Sequence, residues 1–496
     1  MQALVSVVTL RNTAFQDEGL YLYAGRQIVR HWMGGPAPLD HYAYYFSGYP
    51  YVYPVIGGFL DRIGGLELAR SFSLLCMLGV TALVYSVTRK VFDTPAAVFA
   101  SAAYATTGVV LFLGRLATFD ALCLFLIALA AGSAVHAGTT KHAWAALAVG
   151  PVIVLAILAK YAAGLFVLPV FGLLACLSIA FLGWRPAFLR VFLAGASLAV
   201  SLGIAYLVVD HQAFHALDGS TTGRETFLKA PRPDLFSHIL QMGGIIFGIA
   251  LVGLVILLKR RRGLRLFAVI LFASSWLAPL YHIYMREPIS LDKHIGYGLF
   301  FAVPLAGYAL AWLSGYERPT FSSNRAFWLG GVAVVLVITT LGLRQSQTLF
   351  DNWANTSKLS YALHTQLRDG TGRILAEDIE VARFDARDVT EEWQWNSFYY
   401  PYYVDPAGHQ LLGNEALGRA LKDRYYDFVE LSFNYFPEQA YWFAGQMAAD
   451  RNYDLITSIP FTNSYGKGHY YLFRSALVPG HGNFTGLPQL RMNVWP

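Results

Sequence analysis

Asp17-Glu18 and Asp120, the last in Arg115-Leu116-Ala117-Thr118-Phe119-Asp120, stand where apolar runs begin or end, and Lys293 stands at the edge of a later run. Charges at a membrane boundary are costly unless solvated, paired or used. Each acid has a bland reading when taken alone. An acidic residue in a first helical turn gains about 0.3–1 kcal/mol from the helix dipole, and Thr118 suits an N-cap ahead of Asp120. Neither accounts for Arg115 next door, nor for Lys293 in Ser290-Leu291-Asp292-Lys293-His294. Two carboxylates with a few cations suit transfer of a sugar from a lipid phosphate to a hydroxyl. One carboxylate removes the acceptor proton while the cations hold the departing phosphate. That leaving group needs no general acid, unlike the alkoxide of a glycosidase, and the step predicts inversion at the sugar.

Positioning these groups falls to membrane helices. With 55% hydrophobic and 14% charged residues over 496 positions and a mean hydropathy of +0.43, the chain is too apolar for a soluble protein. A span needs roughly 20 mostly apolar residues, and ten runs qualify: 67–88, 96–114, 119–137, 143–159, 161–183, 189–209, 238–258, 264–282, 294–313 and 326–343. Met1 to Leu10 is apolar but about half the required length, so it reads as the end of a clipped first helix, for about 11 spans in all. Lys259-Arg260-Arg261-Arg262 directly after an apolar run marks a cytoplasmic end. Arg89, Lys90, Lys141, Arg185, Arg190, Arg318 and Arg325 fall on the same side, which places Asp17, Glu18, Asp120, Lys293 and the C-terminal region on the outer face. These short basic loops explain the net charge of +6, so no nucleic-acid partner is expected.

Two modules are expected: 1–344 in the membrane, with an outer loop at 13–66, and 345–496 as an extracytoplasmic α/β domain. The outer loop carries helical spacing at Leu20, Tyr23, Ala24, Ile28 and Trp32, expected to lie on the membrane surface, until Gly34-Gly35-Pro36 stops it. The tyrosines Tyr42, Tyr44, Tyr45, Tyr49, Tyr51 and Tyr53 read first as an interfacial belt and second as a sugar or lipid platform. In the C-terminal module, strands are expected at 373–377, 427–433, 455–461 and 469–474, with helices at 414–423 and 437–450. No phosphate-loop glycine spacing occurs. Cys76, Cys123 and Cys176 lie inside apolar runs and imply no disulfide framework.

With order, sidedness and spacing taken together, Asp17-Glu18, Glu67-Leu68-Ala69-Arg70, Arg115 through Asp120, and Lys293 with Tyr297 and Pro304 resemble the polyprenyl-phosphate-dependent GT-C glycosyltransferases. That family includes bacterial aminoarabinose transferases and protein O-mannosyltransferases. The resemblance covers residues 13–305 or so. It implies Asp17 as the catalytic base, Asp120 organising the site or the acceptor, and Glu18 supporting Asp17. It further implies Arg70, Arg115 and Lys293 at the lipid phosphate with His294 and Tyr297 beside them. The implied partners are a polyprenyl-phosphate sugar donor and a hydroxyl acceptor (lipid, glycan or protein) at the outer face of the cytoplasmic membrane. No cofactor is required, and a divalent cation is left open.

Other readings compete. Asp210, His211, His215 and Asp218 have spacing seen in metal ligands, but a solvated loop is the stronger reading and no metal site is assigned. Lys160, between two spans, reads first as a snorkelling outer-boundary residue and second as a phosphate contact. The aromatic cluster Trp393, Trp395, Phe398, Tyr399, Tyr400, Tyr402 and Tyr403 reads first as domain core and second as a glycan platform. A secondary transporter would place its ionisable groups near the bilayer midplane, whereas these stand at helix ends. A non-catalytic glycan-binding or assembly protein would use the outer domain alone.

Overall fold

Long apolar runs without water have to satisfy their own backbone groups, and helices are the form in which they do so. The computed structural model describes residues 1–44, 46–209, 217, 229–315, 325–367 and 372–483. Among them, eight helices are long and apolar enough to cross a membrane: Tyr53–Val91, Phe119–Thr139, Tyr161–Leu182, Trp184–Val208, Arg232–Arg260, Arg262–Met285, Leu291–Leu313 and Leu329–Phe350. The chain divides into two compact units. Met1–Arg11 with His41–Phe350 forms the first, and Asn12–Asp40 with Asp351–Pro496 the second. The segment expected as one outer loop, 13–66, is therefore shared between the units, its first part packing with the C-terminal residues.

Two expected spans depart from a single uninterrupted helix. The run at 96–114 is broken at Thr107, whose extended backbone separates helices Thr94–Thr106 and Gly108–Leu113. A helix crosses closely at this break, since a Cβ on Gly342 would overlap the Thr106 carbonyl. The run at 143–159 forms the 3-10 turn Ala143–Ala148 followed by helix Val149–Ala159, and it ends at Lys160 in extended backbone. Tyr49 and Tyr161 fasten that break, donating their N–H groups to Leu158 O and Ser47 O at 2.7 and 2.8 Å. At the centre lies Leu291–Leu313, the most deeply buried of the eight. Glycines admit its neighbours: a side chain on Gly298 would strike the Ser275 carbonyl, and one on Gly253 the carbonyl of Leu305. The membrane helix Tyr53–Val91 is interrupted at Gly64-Gly65, where Gly65 has φ +69°.

The second unit is built on a five-stranded sheet in the order β2-β1-β5-β7-β6, with β1 Arg373–Ala376, β2 Trp395–Ser397, β5 Tyr426–Leu431, β6 Tyr453–Asn463 and β7 Gly466–Ser475. β1 runs parallel to β2 and β5, while β7 runs antiparallel to β5 and β6. Side chains alternate across a strand, so both faces are covered. Leu375, Val429 and Phe473 pack with helices Gly413–Lys422 and Pro437–Asp450, whereas Ile374, Phe428 and Leu472 pack with helices Ser357–Gln366 and Ile379–Asp385. A separate hairpin pairs β3 Tyr402–Val404 with β4 Gln410–Leu412. Helix Gln16–Trp32 lies in this unit with a protein cover where a membrane surface was expected. Gly19 meets the Glu380 backbone so closely that a Cβ would stand 2.6 Å from its carbonyl oxygen, and the Arg383 guanidinium lies over the Tyr23 ring at 4.4 Å.

Candidate functional site

Asp120 is the second residue of helix Phe119–Thr139 and is fully buried. Burying a carboxylate is tolerable only with partners, and it has several. Lys160 Nζ lies 2.5 Å from Oδ1, Lys293 Nζ lies 3.5 Å from Oδ2, and the Thr118 hydroxyl donates to Oδ2 at 3.1 Å. The Tyr297 hydroxyl donates to the Asp120 backbone oxygen at 3.2 Å, and the Lys160 ammonium also stands 5.0 Å from the centre of the Phe119 ring. Two lysines meet one acid. Beside them, His294 shares a hydrogen bond of 2.7 Å with His282, whose other nitrogen bonds the Glu287 carbonyl at 2.6 Å, and the His294 ring meets Tyr297 edge-on. Lys160, His282, His294 and Tyr297 line a cavity of roughly 500 Å³ whose other walls include Leu165, Phe166, Met285 and Ile289.

A second cluster in the same unit joins Arg115, Arg70 and Glu67. Arg115 Nη2 approaches Glu67 Oε2 at 2.5 Å while its Nε donates to the Leu10 carbonyl at 3.0 Å, and Arg70 Nη1 stands 3.5 Å from Glu67 Oε1. Both arginines are buried, and Glu67 is exposed to solvent on its outer side. Asp17 and Glu18 belong to the other unit. The Glu18 carboxylate accepts from the Phe15 N–H at 2.8 Å and so closes the start of helix Gln16–Trp32. Asp17, half-buried, sits among Gln16, Tyr399 and the buried Glu380. Burial pushes the Glu380 carboxyl up to about 7, with Asp17 adding to the rise and Arg383 and Gln16 opposing it.

Residues 59–208 match the family described as dolichyl-phosphate-mannose-protein mannosyltransferase. No curated protein matches the chain. Among solved structures, apo ArnT from Cupriavidus metallidurans is similar over 95% of this chain and 96% of that one, with a TM-score of 0.65 at 15% identity. The same protein bound to undecaprenyl phosphate gives a TM-score of 0.63 at 14% identity, with the same coverage of both chains. The oligosaccharyltransferase AglB from Archaeoglobus fulgidus, in complex with an inhibitory peptide and a dolichol-phosphate, gives 0.57 at 12% identity over 95% of this chain and 73% of that one. The chain is a multi-span membrane protein with the GT-C fold.

In this fold, Asp120, Lys293, His294 and Tyr297 come together in one cluster, and Arg70 and Arg115 in another. Lys160 is the residue that sequence reasoning misplaced. Instead of snorkelling to a boundary, it is buried and paired with Asp120. The signal was available, since a lone cation between two apolar runs is too costly at membrane depth without a partner. His282 was also missed, and only its fold contact with His294 reveals it. Trp395, Phe398 and Tyr403 are buried in the second unit, while Trp393, Tyr400 and Tyr402 are exposed. Of the earlier aromatic stretch, Tyr42 and Tyr53 are buried and Tyr44 and Tyr51 exposed; Tyr45 lies outside the described residues. Asp210, His211, His215 and Asp218 lie outside them too.

Proposed function

We propose that the protein moves a sugar from a polyprenyl-phosphate donor to a hydroxyl acceptor, with inversion, at the outer face of the cytoplasmic membrane. The observation that carries this is the cavity beside Asp120. Its apolar walls suit a prenyl chain, and Lys160 with His294 and Tyr297 on its lining suits a phosphate head. Asp120 would hold Lys160 and Lys293 in place for that phosphate, a positioning role. Arg70 and Arg115, kept in register by Glu67, are further candidates for the phosphate. Asp17 would accept the acceptor proton, with Glu18 securing the turn on which it stands.

The step balances as follows. The acceptor O–H bond breaks and its proton passes to Asp17. The acceptor oxygen bonds the anomeric carbon, and the bond from that carbon to the phosphate oxygen breaks with its electron pair staying on the phosphate. Developing charge there is met by fixed cations. The basic ends Arg89-Lys90 and Lys259-Arg260 support a cytoplasmic assignment for those helix ends, and hence an extracytoplasmic one for the opposite ends and the second unit. Solved ArnT bound to undecaprenyl phosphate supports the donor class.

The test is Asp17→Asn in the full chain. Sugar transfer from a polyprenyl-phosphate donor should be lost while polyprenyl-phosphate binding is kept, and Lys293→Ala should weaken that binding. Near-normal transfer by Asp17→Asn sinks the base assignment, and retained anomeric configuration in the product, read by proton NMR, sinks the inverting step.

A further inference from the structure

Most of the aromatic cluster in the second unit is core, but part of it faces outward in a pattern the fold dictates. In the β3–β4 hairpin, Tyr403 and Leu411 pair across the strands and point to the core, with the Tyr403 hydroxyl bonded to Asp423 at 2.9 Å. Alternation turns their neighbours the other way. Tyr402 pairs with Leu412 and Val404 with Gln410, and Tyr402, Val404 and Leu412 are all exposed. Tyr400 stands two residues before Tyr402 and is 69% exposed.

The strip continues to the candidate base. Tyr399, next to Tyr400 and itself 39% exposed, has its ring held edge-on by Phe436 at 4.6 Å. Its hydroxyl accepts a hydrogen bond of 2.6 Å from Gln16, the residue before Asp17. The Gln16–Tyr399 hydrogen bond therefore ties the start of the helix that carries the proposed proton acceptor to the segment that carries the exposed tyrosines, within this unit.

We infer that the acceptor is a saccharide, received on Tyr400 and Tyr402 with its reacting hydroxyl presented toward Asp17. This deepens the proposed function and rests on Asp17 being the base. Several features favour a sugar over other occupants. Aromatic faces carry a negative quadrupole that attracts the polarised C–H bonds of a pyranose face, and tyrosine adds a hydroxyl for its rim. Tyr402 and Val404, two apart on β3, are spaced by roughly 6.5–7 Å, a separation that spans adjoining rings of an oligosaccharide. An anionic lipid surface would call for lysine or arginine. Residues 399–412 contain neither, and they carry Asp405. Rigid aromatic anchors on a hairpin also lose little entropy on binding.

Saturation-transfer difference NMR on the full chain in detergent micelles tests this, with maltohexaose, chitohexaose and mannohexaose as probes. At least one should be saturated through its ring protons. The pair Tyr400→Ala and Tyr402→Ala should weaken that binding on the order of tenfold, and Tyr400→Phe with Tyr402→Phe should largely keep it. Both sites are exposed, so unfolding of the alanine pair should match the parent. The inference is overturned if no hexasaccharide is saturated, if the alanine pair changes nothing, or if a Ser/Thr-rich peptide is the only probe whose signal the pair removes. Asp17→Asn should leave the sugar signal intact. Full transfer by Asp17→Asn therefore counts against the base alone, and absence of a sugar signal in the parent counts against the saccharide alone.

Discussion

Replacing Lys160 by Met removes the shorter of the two ion pairs on Asp120 while keeping an unbranched apolar stem. Direct attraction scales inversely with separation, so at 2.5 Å Lys160 holds the carboxylate about 1.4 times as strongly as Lys293 does at 3.5 Å. Breaking a buried pair by deleting one partner typically costs about 3–5 kcal/mol, because the remaining charge stays buried. Here Lys293 and Thr118 remain on the other oxygen, which puts Lys160→Met at the low end, about 3 kcal/mol, and Lys293→Met below it. Asp120→Asn leaves two buried ammonium groups facing one another and should cost more than either. In that background Lys160→Met relieves repulsion, so the double variant should be better than additive by about 2–3 kcal/mol. Unfolding of the full chain in mixed detergent–SDS micelles, followed by tryptophan fluorescence, provides the four stabilities. Additive single effects, or a Lys160→Met variant within about 0.5 kcal/mol of the parent, would refute a buried triad.

Three further outcomes concern the second unit. Gly19→Ala should cost about 1–2 kcal/mol, since overlap with the Glu380 carbonyl outweighs the helix propensity of alanine, and faster hydrogen exchange in Ile379–Asp385 would register it. Glu377 accepts five backbone N–H groups from Ser432 through Phe436, so Glu377→Gln, which turns an NH2 toward at least two donors, should cost about 2–5 kcal/mol in thermal unfolding. Burial, with the neighbouring Glu377, pushes Glu430 from 4.5 up to about 8, so between those values the folded unit binds more protons than the unfolded chain. Stability from this group is present at low pH and lost as pH rises through that window. Glu430→Gln keeps an oxygen for the Glu377 and Asp378 N–H groups and should flatten the decline in melting temperature from about pH 5 to 8.

What could be read from the chain was what local pattern determines. The strands expected at 373–377, 427–433, 455–461 and 469–474 match β1, β5, β6 and β7 to within a few residues, because alternating or wholly apolar runs between turn residues have few other ways to bury themselves. β2, β3 and β4 span three residues each and helix Ile379–Asp385 only seven, too few for a period to show. The break at Thr107 was invisible for another reason. It coincides with a close approach of Gly342, more than two hundred positions on, to the Thr106 carbonyl, a tertiary contact that no local pattern carries.

The site divides along the same line. That Asp120 and Lys293 matter was legible from their cost at a membrane edge, but which charges meet is a matter of tertiary distance. Lys160 shows how far the cost argument reaches: applied consistently, it demanded a buried partner of opposite sign, and Asp120 was the acid nearest in the apolar pattern. The need for a partner therefore follows from energy before geometry is known, whereas the identity of that partner and the assignment of Lys293 to the second oxygen do not. The same asymmetry applies to function. An acid that grips two lysines is committed to holding cations in place, which fits the positioning role proposed for Asp120, whereas Asp17 is the half-buried acid that the sequence already placed at a helix start.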